Sequence, residues 1–257
     1  MSLRNALMVA GFALCVVALN GTVHATSTSY TGTLGSGQVG DTCSAPYAAS
    51  CYYTLTFNVA ATSDITIQSW GFGGTNGGTN AAGNVINAGG FDELIALWSG
   101  TGAGATLIDG SADVLVNYGS YIGCPPAGTV AFSNGDAVCG DLMMQFFLAA
   151  GTYMITLSDA EYQPNALTCC GTTLGDGFSD LTSGVFQDCD FNPSNGQTAC
   201  VTPNANWAFD LSINPVPEPP TLALMITGFG LVWRRTRTWL STKPGAARKR
   251  TRGRHYL

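Results

Sequence analysis

The chain has 257 residues, enough for one large β domain or two small ones. Its formal charge of −6 hides a segregation: of ten Lys and Arg, nine follow Trp233 and the tenth is Arg4, while all sixteen acids lie from Asp41 to Glu218. Between Thr26 and Pro219 there is no Lys, Arg or His, because the two histidines are His24 and His255. That excludes nucleic-acid binding by the body, since neutralising phosphates takes Lys or Arg. It also excludes histidine relays, Cys/His zinc sites, Schiff-base lysines and arginine clamps. Carboxylates, hydroxyls, amides and thiols are what remains for chemistry.

In chain order, residues 1–25 carry Arg4, an apolar stretch from Ala6 to Leu19, and Val23-His24-Ala25 ahead of Thr26. This pattern predicts a secretory signal peptide, the alternative being a buried N-terminal helix. Cys15 follows the bulky Leu14, where a lipoprotein signal takes a small residue, so no lipid anchor is expected there.

Residues 26–214 are expected to form an all-β domain, a single antiparallel jelly-roll-like sandwich with long disulfide-stapled loops. Tyr53, Leu55 and Phe57 alternate with Thr54, Thr56 and Asn58 in Cys51–Val59, and Ile65 and Ile67 alternate with Thr66 and Gln68 in Asp64–Trp70. Such period-two patterning predicts half-buried strands. Leu94–Trp98, Leu142–Leu148, Thr152–Leu157 and Trp207–Ile213 are further predicted strands. Between them, Gly71–Gly90 holds eight glycines and four asparagines, which reads as a long surface connection. No segment from 26 to 215 has a 3.6-residue apolar face, so little helix is expected.

Apart from Cys15, eight cysteines remain, and an even number in an exported chain argues for disulfides. Local closure favours Cys43 with Cys51 and Cys124 with Cys139. Cys169, Cys170, Cys189 and Cys200 would then pair among themselves, with the adjacent Cys169 and Cys170 bonded to two different partners because the eight-membered ring of a vicinal disulfide strains the backbone. Most of the eight are expected in loop-rich insertions; a thiolate metal cluster is the alternative use.

Sixteen acids without counter-charges favour bound cations, so calcium is the one cofactor these residues suggest. Asp188-x-Asp190-x-Asn192 has the spacing that opens a calcium loop, but Pro193 stands where the turn glycine belongs and Ala199 at the twelfth position, so an EF-hand is excluded. Asp109 and Asp113 form a second acidic turn, and Asp159 with Glu161 a third. The bland reading of all three is solvated loop acids. Two carboxylates about 5 to 10 Å apart would suit a glycosidase, but nothing singles out a pair.

Beyond the body, Pro217-Glu218-Pro219-Pro220 leads into thirteen uncharged residues, Thr221–Trp233, and then Arg234, Arg235 and Arg237. As a helix that stretch spans about 20 Å, short of the roughly 30 Å hydrocarbon core. Together these features resemble the PEP-CTERM sorting signal at 215–237: Pro217, Glu218 and Pro219 match the family's recognition element, and Arg234, Arg235 and Arg237 its arginine stop. The chain departs from the family pattern in running on through a basic tail, 238–257, expected to be disordered and cytoplasmic; an ordinary tail anchor is the alternative. Within the body, Thr79–Gly83, Ala88–Asp92, Leu148–Tyr153, Gly175–Phe178 and Asn206–Leu211 resemble, patchily, a β-sandwich domain related to the bacterial pre-peptidase C-terminal domain.

Those resemblances imply a protein exported by a Gram-negative bacterium and held transiently in the inner membrane. Signal peptidase and an exosortase would process it. The protein would then act, without catalysis, at the cell surface or in the extracellular matrix alongside exopolysaccharide. A calcium-dependent carbohydrate-binding module is the alternative, needing solvent-facing aromatics among Trp70, Trp98, Trp207 and Tyr162. A carboxylate-based hydrolase, needing an acid pair in a cleft, is the more remote one.

Overall fold

The computed structural model describes residues 25–216, apart from 45–46, 73–76, 113–114, 118–119, 122–123 and 125–128. The expected signal peptide, sorting signal and basic tail lie outside these residues. Nineteen strands are described. β1 (Thr26–Thr33), β4 (Ser63–Trp70), β9 (Leu115–Asn117), β10 (Ser120–Tyr121), β13 (Met143–Leu148) and β19 (Asn206–Pro215) make a six-stranded sheet in the order β1-β19-β4-β13-β9-β10. β2 (Asp41–Cys43), β3 (Cys51–Val59), β7 (Glu93–Ser99), β8 (Thr106–Ser111) and β14 (Gly151–Asp159) make a five-stranded sheet in the order β2-β3-β14-β7-β8. Neighbours are antiparallel except β13 with β9.

Four hairpin-like pairs decorate these sheets: β5 (Gly78–Thr79) with β6 (Val85–Ile86), β11 (Thr129–Ala131) with β12 (Ala137–Cys139), β15 (Tyr162–Pro164) with β16 (Phe178–Asp180), and β17 (Asp188–Asn192) with β18 (Gln197–Val201). Among the described residues helix is confined to one four-residue turn, α1 (Asn165–Thr168), and to short 3-10 turns such as Leu174–Asp176. Among the described residues no helix is long and apolar enough to cross a membrane.

The arrangement is sandwich-like. One buried cluster takes Ile65, Ile67, Met144, Phe146, Phe209 and Leu211 from the six-stranded sheet and Phe57, Ile95, Leu97, Ile155 and Leu157 from the five-stranded one. Each fully buried aliphatic of this size contributes about 1.5–3 kcal/mol. Alternation along each strand sends these residues to one face. β7 breaks the alternation, with Glu93 to Trp98 buried throughout. Its second face is covered too, as Leu94, Ala96 and Trp98 pack with Met154, Leu167, Leu174 and Phe178 in a separate cluster. The segment after β14 therefore folds back over the outside of the five-stranded sheet.

The cysteines pair as Cys43–Cys51, Cys124–Cys139, Cys189–Cys200 and Cys169–Cys170. The first two agree with local closure. The last corrects the expectation of two separate partners: the adjacent cysteines are bonded to each other. Five of the eight lie in strands rather than loops, because the insertions themselves fold into short hairpins. Cys43 faces Cys51 across β2 and β3, and Cys189 faces Cys200 across β17 and β18.

Candidate functional site

The body's strongest electrostatic feature is buried and was not anticipated. Glu93 opens β7 at 1% exposure and Asp141 precedes β13 at 2%. Asp141 is well supplied with donors: its Oδ1 accepts the Phe72 N–H at 3.1 Å and the Ser69 hydroxyl at 3.2 Å. The same Ser69 oxygen accepts the Leu142 N–H at 2.9 Å. Neither Glu93 oxygen receives a donor of normal hydrogen-bond geometry, so its contact with Asp141 is a hydrogen bond only when the two acids hold a proton between them. Burial, then the Asp141 charge and that hydrogen bond, push the Glu93 carboxyl well above the usual range; the backbone N–H groups of Ala208 and Glu93 pull weakly the other way.

Asp159 closes β14 directly opposite Glu93 in the register. It is 4% exposed and its Oδ2 has no partner. Burial first, then the charges of Glu161, Asp188 and Asp180, raise its carboxyl to about 7, against a lowering hydrogen bond from the Glu161 backbone. A buried carboxylate ordinarily finds a basic partner, and this body has none to offer. Asp210, by contrast, is satisfied by neutral donors. Asp210 accepts the Ser29 hydroxyl on Oδ1, and the Trp70 indole N–H at 2.8 Å and the Ala81 N–H at 2.9 Å on Oδ2. It thereby ties the Gly-rich connection, which contains β5 and β6, to the outside of the six-stranded sheet.

The residues read as a calcium loop lie elsewhere and in another shape. Asp188, Asp190 and Asn192 sit on one face of β17, and same-face neighbours on a strand are about 7 Å apart. Asn134 donates its side-chain N–H to the Asp190 backbone oxygen at 3.0 Å and carboxylate at 3.2 Å, and its carbonyl accepts from Asn192 at 3.3 Å. Asp109 lies on β8, taking the Gly110 N–H at 2.8 Å, while Asp113 lies outside the described residues. No three His, Cys, Asp or Glu among the described residues gather into a group that could hold a metal.

Three of the four candidate aromatic platforms are core: Trp98 at 0%, Trp207 at 3% and Tyr162 at 3% exposure. Trp70 is half-buried, beneath Gly78, where any Cβ would strike its ring. A recess of about 210 Å³ is lined by Phe72, Gly89, Gly90, Val130, Val201 and Pro203 and gathers no ionisable group. Glu93 and Asp141, a close acid pair, are buried rather than open to a cleft. Asp159 and Glu161 were recognisable as an acidic pair. Glu93 had a signal as well, being an acid at the head of the apolar stretch Leu94–Trp98, two residues after Phe91. Comparison with protein-family models, curated proteins and solved structures finds no significant match to this chain.

Proposed function

We propose that this is an exported, non-catalytic surface or matrix protein, cut by signal peptidase, sorted by an exosortase-type enzyme and placed beside exopolysaccharide outside a Gram-negative cell. On this reading residues 26–214 are one jelly-roll-like sandwich flanked by a signal helix and a short hydrophobic helix. The observation that carries it is the framing of the body by two addresses: the apolar leader after Arg4 and the Pro217-Glu218-Pro219 motif with its Arg234, Arg235 and Arg237 stop. Pairing of all eight body cysteines fits an oxidising compartment. The acid-only body fits a soluble, self-repelling surface particle without nucleic-acid partners.

Intact-mass analysis of the protein released by a host with such a sorting system tests the reading. The expected product begins near Thr26, ends near Pro217 and carries four disulfides. Recovering surface protein that retains the Arg248 to Arg254 peptides would overturn the sorting part of the proposal.

The calcium-dependent module keeps one supporting observation, the unpartnered Asp159 oxygen facing Glu161, Asp180 and Asp188. A cation there would supply the counter-charge that the chain withholds.

A further inference from the structure

The four disulfides differ in what they can do for stability. Cys43–Cys51, Cys189–Cys200 and Cys124–Cys139 span 8, 11 and 15 residues. Cross-links of that span restrict the unfolded chain, and the effect grows with loop length. Cys169–Cys170 spans a single residue step, so it restricts almost nothing.

Nor is the vicinal cystine needed to shape its own turn. The N–H groups of Cys169 and Cys170 both donate to the Asn165 carbonyl, at 3.1 and 2.9 Å. Asn165 is itself held by the Asp176 carbonyl at 2.8 Å and the Ser179 hydroxyl at 2.6 Å. Asp176 accepts the N–H groups of Thr172 and Thr173 at 2.9 and 2.8 Å and the Thr173 hydroxyl at 2.9 Å. Leu167 before the pair and Leu174 after it pack onto the outside of the five-stranded sheet. The two cysteines stand exposed at the tip of a turn anchored on both sides without any help from sulfur.

We propose that Cys169–Cys170 is a thiol–disulfide exchange site, open to small cationic or neutral thiols. An incoming thiolate attacks one Sγ, the S–S bond breaks as the mixed disulfide forms, and the other cysteine leaves as a thiolate that takes a proton from water. A second thiol releases the adduct as an external disulfide. Two thiols are thereby oxidised, and the cystine gains two electrons as two thiols. The selectivity is electrostatic: the Asp176 carboxylate lies against Gly171, the residue after the pair, and no basic residue occurs between Thr26 and Pro219, so anionic thiols are repelled and cationic ones drawn in. The proposal is independent of the sorting reading, since exchange is measured on the folded protein whatever its destination.

The test uses the full-length protein purified from an oxidising expression compartment. It is treated at low salt with cysteamine or glutathione, trapped with N-ethylmaleimide and mapped by mass spectrometry of peptic peptides. Cys169 and Cys170 should be the first residues modified, and cysteamine should act about tenfold faster than glutathione, a ratio that shrinks with added salt. Paired Cys169→Ser and Cys170→Ser substitutions should leave Tm within about 2 °C of the parent, whereas Cys189→Ser with Cys200→Ser should lower it by about 5–10 °C. First modification at Cys189–Cys200, equal losses of Tm in the two variants, or indifference to thiol charge at low salt would each overturn the proposal.

Discussion

Asp159 meets the shortage of cations most directly. Its carboxyl titrates near 7 in the folded protein and near the ordinary aspartate value of about 3.9 in the unfolded chain. Between those values the unfolded chain has given up a proton that the folded one keeps. Raising the pH from about 4 to about 7 therefore removes stability, by up to about 1.4 kcal/mol per unit, and above 7 the loss is complete. Asp159→Asn should match the parent at pH 4 and exceed it at pH 8 by on the order of 2–4 kcal/mol. Urea denaturation at pH 4, 6 and 8 reads this out, and parallel pH profiles for the two proteins would sink it. Glu93 is raised by burial in the same direction, so part of the alkaline loss should persist in the variant. Asp176 moves the other way: donors from Thr173 and Thr172 hold it below the usual range, and its contribution fades only as the solution becomes acidic. None of these directions is readable from residue types alone. Asp159 and Asp176 are each acids beside a turn, and the difference lies in which one the folded chain covers.

Strands were legible where one face is apolar and the other polar. Cys51–Val59 matches β3 at both ends, and the five other predicted segments fall within a residue or two of β4, β7, β13, β14 and β19. β1 escaped because Thr26–Thr33 is polar on both faces apart from Tyr30, as an exposed edge strand can be. β17 and β18 escaped because the acids of β17 and the Pro193 turn after it read as loop; a cross-strand cystine ties the two strands together. The depth of β7 was also hidden, since its outer face is covered by Leu167, Leu174 and Phe178, some seventy to eighty residues later in the chain. At this scale a contrast is expected. Leu97→Ala, in a strand buried on both faces, should lower unfolding free energy by about 2–5 kcal/mol. Phe147→Ser on β13, 57% exposed, should change it by no more than about 0.5 kcal/mol. Equal effects in urea titrations would contradict the layering.

Across the whole body, sixteen acids from Asp41 to Glu218 face no basic side chain between Thr26 and Pro219. No internal salt bridge can form in that span, and the net field opposes compaction. Tm should rise with ionic strength as repulsion is screened over distances of about 10 Å at 0.1 M. Melts in sodium, magnesium and calcium chloride at matched ionic strength separate screening from binding. An extra rise with calcium at low millimolar levels would place a cation among the acids around Asp159, equal rises would leave diffuse screening, and no rise with any salt would refute the repulsion.

The position of β19 also governs how the body would bear tension. It is bonded along eight residue pairs to β1 on one side and eight to β4 on the other, both antiparallel to it. Force drawn along β19 from its Pro215 end, against a grip elsewhere in the body, loads both ladders in shear, so many hydrogen bonds must yield together. Force between Thr26 and Pro215 instead unzips β1, because Thr26 lies beside Ile213 and the ladder can open one rung at a time. Optical-trap pulling should thus find a higher rupture force from Gly135 to the Pro215 end than from Thr26 to the same point. A body held through β19 is gripped at its mechanically strong strand and yields most easily where β1 leaves the edge.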